Sequence, residues 1–233
     1  MNTNAHANRG AKLALAGGLA LGSMIVVLAI SGTREGHAAT GHQHGDGAAM
    51  AAQTTKQLAF HDGMRELWEQ HVAWTRLAIV SFAGSNPDLA ATEGRLLRNQ
   101  VDIGNAIKPF YGKAAGNQLT KLLKEHITGA VAVLVAAKAG DNTKLAHAKT
   151  AWYANGRQVA DFLSAANRHH WPRAMMRSMM KTHLDQTLGE AVSQLTGHYA
   201  AGVRQYDAIE QHILAMADML SNGIVQQFPD RFS

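Results

Sequence analysis

"LWEQHVAWTR" (67–76) decides how the chain is read, because its apolar positions recur at helical spacing and one of them is a histidine. His71 shares a helix face with Leu67, Trp74 and Ala78. A titratable ring on the buried side of a helix needs a reason, since an unsatisfied buried polar group is costly. The phrase returns as "LLKEHITGAV" (122–131) and as "MMKTHLDQTL" (179–188), placing His126 and His183 at the same point. Each histidine is followed by Gly84, Gly140 or Gly197 and then by a second helix, with the related endings "DIGNAI", "QVADFL" and "LAMADML". This self-similarity predicts three tandem helical hairpins. In the second helices the matching positions are Asn99, Asn155 and His212, each a polar group on an apolar stripe.

Composition agrees. Hydrophobic residues make up 46% and charged residues 17% of 233, which is globular. There are only four prolines, and breaks fall at "GSNPD" (84–88), "KPFYG" (108–112), "AGDNT" (139–143), "ANRHHWP" (166–172) and "TGH" (196–198). The expected fold is all-α: a bundle of about six helices, roughly 54–83, 88–107, 113–139, 143–165, 172–196 and 199–226. Phe228 and Phe232 are expected to tie down the C-terminal end. With no cysteine there is no disulfide framework and no thiolate metal site.

The N-terminus stands apart. Arg9 and Lys12 precede "LALAGGLALGSMIVVLAI" (13–30), eighteen residues without a charge. Residues 1–31 read as a signal peptide or an N-terminal membrane anchor, and 32–53 as a Gly-, Ala- and His-rich tether. Residues 54–233 form the bundle domain. The protein is expected to be exported, either secreted or held at the membrane by the N-terminal segment. Removing 1–31 takes Arg9 and Lys12 and no acid, leaving 20 basic residues against 17 acidic ones. That weak excess gives no reason to expect nucleic acid as a partner.

Two readings of the inward polar groups stand side by side. Three His/Asn or His/His pairs, one per hairpin, can be buried hydrogen bonds that hold helix register. They can also be a transition-metal site, since neutral imidazole is a common ligand for zinc, copper and nickel and bundles build such sites from facing helices. His71, His126, His183 and His212 would then be the nitrogen ligands. Asp102, or Glu190 two turns beyond His183, would be an oxygen ligand or the group that orients an imidazole. The chain has no tight pair of the H-E-x-x-H or E-x-x-H kind.

Other segments carry weaker expectations. The tether's His37, His42, His44 and Asp46 are suited to loose metal contact, and His169 and His170 read as loop residues. "RLLRNQVDIGNAIKPFYG" (95–112) is the most polar helix. A small-molecule or anion pocket there would use Arg98, Asn99, Lys108 and Tyr111, together with Asn155. The alternative is a salt-bridged helix at the bundle surface. Met175, Met176, Met179 and Met180 read as adaptable core packing.

The segments "LWEQHVAWTR", "RLLRNQVDIGNAIKPFYG", "AGNQLTKLLKEHI", "AWYAN" and "YDAIEQHILAMADMLSNGIVQQFPDRF" carry a resemblance over about residues 60–233. The chain resembles a group of small exported helical proteins of bacilli and their relatives, whose members bear the labels glycosyltransferase or acetylglutamate kinase. Positions matching that group's motifs include His71, Asp102, Asn105, Lys108, Tyr111, His126, Asn155, His183, Glu190 and Asp207. The "NRHHWP" loop departs from the group's Asn-Pro-Asn-Trp form. The resemblance implies an all-helical exported protein and no particular activity. No strand–helix alternation, phosphate-cradling glycine loop, G-x-S-x-G or paired-carboxylate motif is present. Neither label's chemistry is therefore expected, and no catalytic residue is assigned.

Overall fold

The computed structural model describes residues 54–233; the expected signal or anchor segment and the tether lie outside them. The described residues form α1 (Thr55–Gly84), α2 (Leu89–Lys138), α3 (Asn142–Ala166), α4 (Arg173–Leu195) and α5 (Tyr199–Gln227), then a 3₁₀ turn at Pro229–Arg231. All are helical, and no strand occurs among them. Each helix packs on the next, and α1 also packs on α5, which closes the bundle.

Local chemistry sets the boundaries. Thr54 and Gln57 form a reciprocal capping box at the start of α1. Asp141 caps α3 by accepting a hydrogen bond of 2.9 Å from the Lys144 amide. The expected break at 108–112 falls at Gly112. Pro109 sits in the last turn before Gly112 (φ 84°, ψ 167°), the one residue of α2 outside helical geometry, so α2 is two helical segments, 89–111 and 113–138, joined at a kink. The segments on either side of Gly112 pack against one another. A Cβ on Gly104 would lie 2.0 Å from the Thr120 hydroxyl and 2.6 Å from the Gly116 carbonyl. Small residues permit that approach.

The core runs the length of the bundle, through Trp68, Ile103, Leu123, Trp152, Trp171, Leu184, Ile213 and Met216. Trp171, from the "NRHHWP" loop, is fully buried against Gly223, where a Cβ would stand 2.2 Å from the indole nitrogen. Asn167 in the same loop donates to the Gly223 carbonyl at 2.8 Å. At the chain's end Phe232 packs on Phe60 and Phe110, with ring centres 5.2 and 5.5 Å away, as its apolar character suggested. The Thr54 hydroxyl donates to the Phe232 carbonyl, joining the two ends of the described chain.

Candidate functional site

Helical periodicity places His71 (α1), His126 (α2) and His183 (α4) on buried faces, and the fold brings their rings together. His183 is central: its ring centre is 5.8 Å from that of His71, 6.3 Å from His126 and 6.5 Å from His212 of α5. The first three are buried and His212 is half-buried. Indoles border the group, Trp68 against His71 and Trp152 stacked on His126.

The expected repeat is visible in the hydrogen bonds. The Asn99 amide donates to the Leu67 carbonyl, the Asn155 amide to that of Leu122, and His212 Nε2 to that of Met179. Each acceptor stands four residues before His71, His126 or His183. Each of those histidines also has its own carbonyl engaged, by the Thr75 hydroxyl, the Trp152 indole and the Thr187 hydroxyl respectively. The bonds from Asn99, Asn155 and His212, at equivalent positions in all three segments, fix the second helix against the first, while the Thr75 and Thr187 bonds lie within one helix.

The pairing of the rings themselves differs. His126 Nδ1–H donates to Asn155 Oδ1 at 3.0 Å, so Asn155 uses both ends of its amide. In α2 the same two tasks fall to neighbours: Asn99 holds the carbonyl, and Gln100 donates to His71 Nδ1 at 3.2 Å. Spacing points to Asn99 as the partner of His71, whereas its neighbour Gln100, fully buried, meets the ring. In α5 an imidazole replaces the amide. Its Nε2 serves the carbonyl, and its other nitrogen lies across the ring, out of position to serve the same neighbour as a carboxamide does. His183 Nδ1 accordingly has no hydrogen-bond partner among the described residues. Trp68 Nε1 and Gln100 Oε1 are likewise buried and unpartnered. Such groups are rare in protein interiors.

Burial keeps the His71, His126 and His183 rings neutral. Desolvation, reinforced by nearby His126, lowers His71 to about 3. Desolvation lowers His126 to about 4, with the Asn155 bond opposing it. His183 is pushed well below 6.5 by burial and then by its three imidazole neighbours.

The carboxylates have other partners. Glu190, buried, accepts from Arg76, which also donates to the Gly202 carbonyl and lies over the Tyr206 ring. Desolvation raises the Glu190 pKa, opposed by Arg76. Arg76 escaped the sequence reading, although an acid on an apolar stripe implied a cation facing it. Asp102 pairs with exposed Arg98 one turn away on α2. Tyr111 donates to Gln227 at 2.6 Å and is pushed up to about 12 by burial. Lys108 lies along Gly116 at an open groove it shares with Lys121 and Lys124. The polar segment 95–112 thus distributes its side chains among several neighbours.

Among the described residues no set of three or more His, Asp or Glu side chains stands at metal-ligand spacing. Nor is any described helix long and apolar enough to cross a membrane. Comparison of the chain with protein-family models, with curated proteins and with solved structures finds no match.

Proposed function

We propose that the chain is an exported binding protein, three tandem helical hairpins behind an N-terminal signal or anchor segment, whose interior holds a transition-metal ion at the imidazole group. The observation that carries this reading is His183: buried, surrounded by three other imidazoles, with an unpartnered ring nitrogen. Neutral imidazoles are the form that ligates zinc, copper or nickel. His126 is already oriented by a carboxamide on its other nitrogen, as metal-bound histidines are. His71, His126, His183 and His212 supply the nitrogens in this reading. Rings this far apart must shift to share one ion. Glu190 and Asp102 stay with their arginines.

Metal content of the exported chain, purified without a histidine tag, tests the proposal. One equivalent is expected in the wild type and in a tether variant lacking His42 and His44, and much less in His126→Leu and His183→Leu. Equally low metal in all four proteins would remove the metal.

A second reading rests on the repeated carbonyl bonds from Asn99, Asn155 and His212. It makes the polar seam a register device in a cofactor-free structural or partner-binding bundle. Added zinc or copper would then leave the melting temperature unchanged, while Asn155→Ala would lower it.

A further inference from the structure

A cavity of about 440 Å³ lies between α3 and α4, lined by none of the four clustered histidines. That size is ordinary for a small-molecule site. Its floor is apolar, made by Gly156, Met180 and Leu184, all buried. A Cβ on Gly156 would stand 3.1 Å from Leu184 and 3.2 Å from Met180, so the glycine lets these two side chains lie close against α3.

The rim carries Arg157, Arg177, Lys181 and the Tyr153 hydroxyl. Two carboxylates lock most of this charge in place. Asp161 is gripped by both Arg173 and Arg177, each through two bonds of 2.7–2.8 Å, and these bonds hold its carboxyl far below the usual range. Asp185 accepts from Lys181 and from Tyr153, both at 2.6 Å. Four cations, Arg157, Arg173, Arg177 and Lys181, thus face two carboxylates, and Arg157 has no ion-pair partner among the described residues. An anion at this rim meets fixed positive charge, while an attached apolar group reaches the floor.

We propose that this cavity binds a small organic anion, a carboxylate or phosphate on a short apolar body. Arg157 and Arg177 hold the anionic end, and Met180 and Leu184 lie beneath the apolar part. The site stands apart from the imidazole group and does not depend on the metal reading.

The test is titration calorimetry on the exported chain with octyl phosphate as probe, beside inorganic phosphate and octanol. Octyl phosphate is expected to bind well below millimolar concentration and each fragment far more weakly. Arg157→Glu, an exposed change, is expected to keep the melting temperature of the ligand-free protein and to weaken octyl phosphate about tenfold or more. Ala174→Trp, at the exposed rim, is expected to block the probe. Equal affinity in wild type and Arg157→Glu, octanol binding as well as octyl phosphate, or no binding at millimolar concentration would each overturn the proposal.

Discussion

Asn155 and His126 are joined by a bond of 3.0 Å, and the same carboxamide donates to the Leu122 carbonyl at 3.1 Å, so one side chain serves two buried partners. Removing it leaves both unsatisfied. Asn155→Ala is expected to cost about 1–3 kcal/mol in urea unfolding, the usual penalty for stranding buried polar groups. Asn155→His, which copies the α5 arrangement, keeps the carbonyl bond and should cost less. If both cost nothing, the seam does not hold register.

Stability should fall on the acid side of neutrality. His71 and His126 sit at about 3 and 4 when folded, and His183 well below 6.5. The unfolded chain therefore binds protons more readily. The folded state keeps its full stability above about 6.5 and loses it as pH falls toward the folded values. Each histidine contributes a slope of about 1.4 kcal/mol per pH unit. Denaturant unfolding between about pH 5 and 6.5 checks this, and His126→Leu should flatten the slope by about a third. A flat profile would mean these rings are charged or solvated.

Arg76 and Glu190 form an ion pair whose acid is buried. Arg76→Ala strands that carboxylate and is expected to cost about 3–5 kcal/mol. The double change Arg76→Met with Glu190→Leu should recover most of it, as buried pairs replaced by packed apolar groups often do. Thermal melts of the three proteins decide the matter.

Gly104 faces Gly116 and Thr120 across the fold of α2. A methyl group there meets backbone as well as side chain, so Gly104→Ala is expected to destabilise by about 1–3 kcal/mol despite alanine's better helix propensity. Gly63→Ala, where nothing stands within 4 Å, is the control and should be neutral or stabilising.

Much of this arrangement is written locally. The all-helical class, the turns at 84–88, 139–143, 166–172 and 196–198, and the buried faces of His71, His126 and His183 follow from periodicity and capping chemistry, which act within a few residues. Partner choice does not. That Gln100 rather than Asn99 meets His71, that Arg76 finds Glu190, and that the 95–112 polar residues disperse depend on helix rotation and on contacts between distant segments. Such contacts leave no spacing to read in the chain. The two halves of α2 make the same point: Pro109 and Gly112 mark the break in the sequence, while the close approach of Gly104 to Gly116 and Thr120 depends on how the two segments meet.

The pattern of residues along the chain by itself determined a helical bundle with a repeated inward histidine, because hydrophobic periodicity and caps are short-range. Only the tertiary structure decided that His183 is the ring around which the others gather and that its nitrogen goes unpaired. Both depend on how far α1, α2, α4 and α5 approach and rotate, and packing of the whole core sets that.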